Sequence, residues 1–569
     1  MNITATIARH LAISPGWEAL LAASESYAAA TDELIAEVLS SAGRFANASL
    51  APLNAAADVA GCRLEAGRVI TVPEHKAAWE EFCAGGWLML DAPEDIGGMG
   101  LPTALGNAVQ EMMDRQCPAF GMMPVPSRAG ARLLHAFGDE AVQAAYLPGL
   151  IEGSIGATIC ISEADAGSDV RAMRSRATRQ ADGTWRITGE KCWISFGDQD
   201  LTPSIAHLLL AKTAPQGQEQ GAPPSPADPI SLFLVPSAID GQRQPIFIRR
   251  LEEKLGLHAS PTCSMGLEGA QGFLLGAEGR GLAQLFVMIT NMRLATGVMG
   301  LAIASRAGEI AHHYAAERKQ GVKNGHSLTI NQHADVQAQL LSLSARTETL
   351  RGLIYATANH ADIARVSLDP AQKAHSAALS AWLLPIIKTL GGEVGFGVAS
   401  DAIQVLGGAG YTREWPVEQG LRDARVLSVF EGTTGMQAQD ITLRRLRGAG
   451  GEAYQAFLAA AKPDIAALAH EGLNAALAQF EATAKALIAA SAQDAEAGAT
   501  AFLNLGGIIA TGWIAARLIL AQGDDPLSQQ LAAAGRFALS DIAPRAALAA
   551  HQALAGSARI QPFASFLAD

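Results

Sequence analysis

Basic residues are outnumbered in this chain: 42 Lys and Arg stand against 55 Asp and Glu, a formal net charge of −13 at pH 7. A nucleic-acid binder needs a basic face to meet phosphate, so this balance argues against that class. An anionic ligand would instead need a local basic patch. Aromatic residues are scarce, at 5%. Beside 49% apolar residues and abundant alanine, this favours a large helical protein built on small-residue packing. The six cysteines, Cys62, Cys83, Cys117, Cys160, Cys192 and Cys263, have no CxxC or metal-ligand spacing. They read as reduced core thiols of a cytoplasmic protein, with no metal site. The first residues lack a basic segment leading into an apolar one, so no secretory signal is expected. Long apolar runs are also wanting. The one candidate, Ala499–Ala521, is interrupted by Asn504, Gly506, Gly507 and Arg517, which predicts a buried bundle helix and makes membrane association an unfavoured reading.

What is present points to an α+β chain. At 569 residues it is too long for one ordinary domain. Residues 1–70 alternate alanine-rich helical segments with loops and form an N-terminal helical extension. Residues 71–153 are an N-terminal α domain, with Trp79, Phe82, Trp87 and Leu88 at helical spacing before the break at Pro93–Gly100. In that break, Gly97, Gly98 and Gly100 read as a plain turn. Residues 154–280 change character: short apolar or alternating runs at Ile155–Ile161, Trp185–Thr188, Ile205–Ala211, Ile230–Val235 and Ile246–Ile248 suggest an antiparallel, barrel-like β domain. Inside it, the Gly/Gln/Pro-rich stretch between Thr213 and Pro229 cannot bury a core and is expected to be a mobile surface insertion. Residues 281–448 read as a C-terminal helical bundle and residues 449–569 as a further helical extension.

Three stretches carry chemistry. In the first, Gln404–Val–Leu–Gly–Gly–Ala–Gly–Tyr411 precedes Arg422–Asp–Ala–Arg425 and Val429–Phe–Glu–Gly–Thr–Thr–Gly–Met–Gln437. Glu431 ends an apolar run. A carboxylate against apolar surface has its charged form disfavoured, which raises its pKa toward the range useful for taking a proton from carbon. Gly407, Gly408 and Gly410 let main chain approach a flat or phosphorylated ligand. Taken alone, a Glu beside a Gly also reads as a solvated turn residue. The second stretch pairs Ile159–Cys–Ile–Ser–Glu–Ala–Asp–Ala–Gly–Ser–Asp169 with Gly189–Glu–Lys–Cys–Trp–Ile–Ser195. Ser162 and Ser195 offer hydroxyls, Trp193 a flat apolar face, and Gly167–Ser168 backbone N–H groups suited to a pyrophosphate. Strand turns and a core Trp would explain the same residues. The third is Tyr314–Ala–Ala–Glu–Arg–Lys–Gln–Gly321, where the planar fork of Arg318 suits a pyrophosphate.

Together, in this order, these stretches resemble the acyl-CoA dehydrogenase flavoproteins, over roughly residues 75–447. Glu252–Glu–Lys–Leu–Gly–Leu–His258 and the C-terminal extension are similar to the family's long bacterial branch, which includes enzymes acting on 3-(methylthio)propanoyl-CoA. The resemblance implies FAD as cofactor, an acyl-CoA substrate and α,β-dehydrogenation. Glu431 would be the base, with the thioester oxygen bonded by the Glu431 N–H and a flavin hydroxyl. It implies flavin contacts from Ile159, Ile161, Ser162, Gly167, Ser168, Trp193, Ile194, Ser195, Gly432 and Thr433. Arg318, Gln320, Gln404, Gly407 and Gly408 would serve the neighbouring subunit of a homodimer. Ser168, Arg293, Glu431 and Gly432 would meet substrate, although Arg293 alone also reads as a surface residue in an ion pair. An electron-transfer flavoprotein would take the electrons. The chain departs from the family pattern at Ser162 and Ser195 (Thr in relatives), Ala164 (Pro), Gly321 (an aromatic) and Gly435 (Gln). Other chain-length preferences and an acyl-CoA oxidase remain open. A non-catalytic, DNA-associated alkylation-response relative would need a basic C-terminal region, which this acidic chain lacks.

Overall fold

A computed structural model describes residues 2–214, 225–564 and 566. Residues 215–224 of the expected insertion lie outside the described residues. The architecture is mixed α+β, in two compact units that are each discontinuous in sequence: residues 44–101 with 116–292, and residues 1–43 with 102–115 and 293–569.

The first unit carries a seven-stranded sheet. Strand Thr262–Leu275 pairs with Trp185–Ser195, which pairs with Arg176–Arg179, then Ser204–Thr213, then Ile230–Pro236, which returns to Thr262–Leu275. The pairings therefore close on themselves, as a barrel's do. Ile246–Leu251 and Ile155–Cys160 add to the outside of this ring. The sheet is mixed, however: Ser204–Thr213 runs parallel to both Ile155–Cys160 and Arg176–Arg179, which corrects the purely antiparallel expectation. A parallel pair needs a crossover, and the 161–203 segment supplies it while contributing two strands of its own. Trp185, Ile187, Leu209, Phe233, Val235 and Met265 fill the sheet's core. A separate aromatic cluster of Phe45, Trp79, Phe82 and Phe120 holds the unit's helices.

Two strands of the ring escape the sequence reading. Thr262–Leu275 is interrupted by Gly266, Gly269 and Gly272, which depress any strand signal. Gly269, at φ 82°, falls at a bulge between Glu268 and Ala270, and Gly272 lies under Ile187 and Val235. Two hairpins also interrupt segments expected to be helical. Arg63–Glu65 pairs with Arg68–Ile70 through Ala66–Gly67, and Lys319–Lys323 pairs with His326–Thr329 through Asn324–Gly325. All four turn residues have positive φ, as a tight two-residue hairpin requires.

The second unit is helical. Gly281–Glu317, whose residues from Arg293 onward belong here, crosses Pro370–Leu406 at a glycine seam. A Cβ on Gly391 would lie 2.6 Å from Gly297 Cα, and one on Gly300 would overlap the Gly391 carbonyl. The two backbones therefore touch, and their relative position has little slack. Ala334–Val366 packs alongside Pro370–Leu406. The extension adds Glu452–Leu468, Glu471–Ala489, Ala492–Leu520, Pro526–Leu539 and Ile542–Leu554. Trp382 joins it to the bundle by packing on Tyr454, Phe457, Phe480 and Phe502. Among the described residues, three helices are long and apolar enough to cross a membrane by length and composition. One of them, Ala492–Leu520, spends its apolar positions (Phe502, Leu505, Ile509, Trp513) on internal packing. None of the six cysteines is in a disulfide.

Candidate active site

The seam that fixes the two long helices also places two cations. Arg293 lies one turn before Gly297, and Lys388 one turn before Gly391. Next to it, Gly392 seats the incoming chain: a Cβ there would meet Ser428 Oγ at 2.5 Å and Ser428 N at 2.9 Å. The chain then runs through Val429–Phe430 to Glu431 and turns sharply. Glu431 has φ 55° and Gly432 φ 93°. Glycine is needed at 432, where a Cβ would also sit 2.7 Å from Gln437 Nε2. A left-handed backbone at a non-glycine residue costs about 1–3 kcal/mol and persists only where its surroundings over-determine it.

Those surroundings are hydrogen bonds to two consecutive carbonyls. Arg293 Nε donates to Glu431 O at 3.2 Å, while Lys388 Nζ and Gln437 Nε2 donate to Gly432 O at 2.6 and 3.2 Å. Downstream, the Thr433 side chain accepts from Met436 N and caps the short helix Thr434–Gln439. Each of these three hydrogen bonds goes to main chain. The Glu431 carboxylate oxygens and its own N–H take no hydrogen bond among the described residues. Burial pushes the Glu431 carboxyl up to about 7, against the opposing pull of the Arg293 and Lys388 charges. The same burial lowers Lys388 to about 8 and draws Arg293 down from its ordinary value. The arrangement is a proton acceptor poised near neutrality, with positive charge behind its peptide carbonyls.

The strand-rich unit gathers the other motif residues. Ser162 O accepts from Cys192 N at 2.9 Å, tying the 159–169 and 189–195 stretches together. Beneath them, the buried Lys191 ammonium reaches Glu163 at 2.8 Å and Ile161 O at 3.1 Å, and Glu163 also accepts from Arg174 N and Ser175 N. Trp193 is held at φ 62° with 61% of its surface exposed. A large ring kept bare in a strained backbone suits a ligand face better than a core position. The Ser162, Ser168 and Ser195 hydroxyls meet no partner among the described residues, and a Cβ on Gly167 would stand in open space. Ile159 and Ile161 are half-buried. The Ile194 side chain is buried in the sheet core, which leaves its backbone to face a ligand.

The remaining motif residues lie elsewhere on the helical unit. Arg318 and Gln320 lie exposed where Gly281–Glu317 gives way to the Lys319–Lys323 hairpin strand. Gln404, Gly407 and Gly408 are exposed at the end of Pro370–Leu406, with open space around both glycines. None of the five shares a hydrogen bond with Glu431. Lys388, Gln437 and the Glu163–Lys191 pair were not singled out in the sequence. For Lys388 the available signal was a lone charge after the apolar run Leu383–Leu384–Pro385–Ile386–Ile387.

Models of the N-terminal, middle and C-terminal domains of acyl-CoA dehydrogenases match residues 32–154, 158–270 and 279–446. The chain is 37% identical to the 3-methylmercaptopropionyl-CoA dehydrogenase of Ruegeria pomeroyi, over 87% of this chain and 88% of that one. It is 34% identical to the broad-specificity linear acyl-CoA dehydrogenase FadE5 of Mycobacterium tuberculosis, over 66% of this chain and 64% of that one. Among solved structures, an acyl-CoA dehydrogenase from Bacillus anthracis complexed with FAD shares the fold, with TM-score 0.74, 21% identity and coverage of 91% and 87% of the two chains. The chain belongs to the acyl-CoA dehydrogenase family of flavoprotein oxidoreductases, which act on CH–CH bonds.

Proposed function

We propose that this enzyme is an FAD-dependent dehydrogenase of short acyl-CoA thioesters, with 3-(methylthio)propanoyl-CoA as its substrate. The substrate assignment rests on similarity to the Ruegeria relative of that name along most of both chains. The observation that carries the chemistry is the Glu431 carboxylate, raised to about 7 and left without a hydrogen-bond partner among the described residues.

The residues present fit FAD. Trp193 offers a bare ring face, Ser162 and Ser195 offer unpartnered hydroxyls, and Gly167–Ser168 forms an open backbone turn for phosphate oxygens. Ile159, Ile161 and the Ile194 main chain lie on the same two stretches. In a homodimer, the exposed Arg318, Gln320, Gln404, Gly407 and Gly408 would hold the nucleotide end of the cofactor bound by the partner subunit. When bound, FAD supplies the acceptor for the hydride that leaves the substrate's β-carbon. An electron-transfer flavoprotein is the proposed next acceptor.

The chain's own task is the proton. A thioester α-carbon is a weak acid, so the base must be basic enough to take its proton yet ionised at working pH. Glu431 meets both conditions. As the proton leaves, negative charge builds on the thioester oxygen. The unpartnered Glu431 N–H can donate to that oxygen and stabilise charge only as it develops. The α C–H pair becomes the new double bond as the β hydride departs. Glu431→Gln is expected to retain yellow flavin while 3-(methylthio)propanoyl-CoA no longer bleaches it. Bleaching at the wild-type rate would overturn the base assignment. Faster bleaching by a long-chain acyl-CoA would overturn the substrate.

A further inference from the structure

We propose that Lys388 is the positioning residue of the base: its ammonium, bound to the Gly432 carbonyl, holds the left-handed Glu431 turn and supplies the positive charge against which Glu431 ionises. This inference rests on Glu431 being the base.

Lysine is almost never fully buried unless paired with an acid. Lys388 is 0% exposed, yet it makes no ion pair among the described residues. Its hydrogen bond goes to a neutral carbonyl, at 2.6 Å. The helix around it is apolar, with Trp382, Leu383, Ile386 and Ile387 all buried. A methionine would satisfy packing at this position without the cost of burying a charge. The charge therefore serves something beyond the core.

The groups facing it say what. Glu431 and Glu393 attract the ammonium and Arg293 repels it. Asp440, Arg444 and Arg445 in turn act on Arg293. Glu393 is exposed one turn along the same helix, where solvent screens it. Glu431 is thus the partner through which the buried ammonium acts. Its position is set twice, by the Gly297–Gly391 contact one turn away and by the bond to Gly432 O. Of the three donors on this turn, Arg293 stays charged at any working pH and Gln437 is neutral. Only Lys388, lowered to about 8 by burial, can lose its proton within the working range. Activity should therefore rise as Glu431 ionises and fall again as Lys388 deprotonates.

The test separates proton removal from hydride loss. 3,3-Dimethylbutanoyl-CoA has α-hydrogens but none on its β-carbon, so holoenzyme in D2O can exchange its α-protons without completing oxidation. Exchange followed by NMR over a pH range bracketing about 7 and about 8, the values of Glu431 and Lys388, reports the base alone. Wild type should exchange and Glu431→Gln should not. Equal exchange by both would sink the base assignment itself, whatever Lys388 does. Given that contrast, Lys388→Met should retain flavin and slow exchange by about 10²-fold, as expected for a misplaced catalytic group. Its rising limb should move to higher pH, because a cation that favoured the carboxylate is gone. Lys388→Arg, which keeps the charge but does not titrate, should return the rising limb toward wild type and abolish the alkaline fall. An unmoved rising limb in Lys388→Met refutes the proposal even if the rate drops, because a purely structural role would leave it in place. Should Lys388→Met fail to fold, an unchanged alkaline fall in Lys388→Arg refutes it alone.

Discussion

Glu163 and Glu431 are both carboxylates near a buried lysine, and they have opposite fates. In the strand-rich unit, Lys191 Nζ reaches Glu163 at 2.8 Å, and two backbone N–H groups complete the carboxylate's shell. Glu163 ends below its ordinary pKa, although burial alone would have raised it. In the helical unit, the lysine and the arginine are spent on the carbonyls of residues 431 and 432, and the Glu431 carboxylate ends at about 7. Residue type is the same, and burial pushes both carboxyls upward. What differs is whether the cation touches the carboxylate or the main chain beside it. Direct contact makes a permanent anion that staples two motifs together, whereas contact with the carbonyls makes a base that can still accept a proton.

Breaking the staple should have the largest effect. Lys191→Met strands Glu163 as a buried, uncompensated charge, and losing one partner of such a pair costs about 3–5 kcal/mol. Urea unfolding should show that loss, with flavin content falling because the pair underlies the 159–169 and 189–195 stretches. Adding Glu163→Gln to Lys191→Met should recover much of the stability, since no charge is then left unpaired. If Lys191→Met alone is as stable as wild type, the pair is not a staple and the contrast with Glu431 collapses.

The two regions also differed in how far they could be read in advance. Glu431 and its glycines lie on one continuous string, and the flavin-motif stretches are short and contiguous, so residue type and order were enough to find them. Five of the seven sheet strands announced themselves by apolar runs. Thr262–Leu275 did not, because its glycines fit close packing under Ile187 and Val235 and a bulge at residue 269, needs that exist only once the sheet is assembled. The Asn324–Gly325 hairpin was legible in principle, since Asn-Gly is a strong turn signal, but helical neighbours on both sides masked it. Lys388 was hidden for a different reason. It is 43 residues from Glu431 in sequence, and a single lysine on a long helix looks like a solvated one until the Gly297–Gly391 contact turns it inward.

That seam can be tested by moving it. Gly391→Ala puts a Cβ 2.6 Å from Gly297 Cα, where backbone and not a flexible side chain must yield. Overpacking of this kind costs about 1–3 kcal/mol, and the upper end is expected here. The helices should part slightly and carry Lys388 away from Gly432 O. Single-turnover flavin bleaching should therefore slow beyond what the stability loss explains. A change of similar size at Gly308, where a Cβ meets nothing within 4 Å, should not lower the thermal midpoint. A Gly391→Ala enzyme with normal bleaching would detach the seam from the chemistry.

The smallest effect has the opposite sign, and it distinguishes the two carboxylates most sharply. Burial raises Glu431 from 4.5 to about 7, so the folded chain holds this proton more tightly than the unfolded chain does. Its contribution to stability is full below about pH 4.5, declines as pH rises through the window to 7, and is absent above it. Glu431→Gln removes that penalty. At pH 8, with flavin loading matched, the variant should be more stable than wild type by on the order of 1–2 kcal/mol, once the residue's partial exposure is allowed for. The gap should close by pH 4.5. Glu163→Gln should behave in the reverse way. Glu163 sits below its ordinary pKa, so its stabilisation is present above the unfolded value and lost as pH falls through the folded one. That variant should be weaker than wild type at pH 8, with the deficit shrinking in acid. An enzyme that gains stability on losing its carboxylate at 431, yet loses it on the same change at 163, is holding one of the two against its electrostatic preference. If both substitutions destabilise with the same pH dependence, Glu431 is a second staple and the cation's placement on the carbonyls has no consequence for the proton.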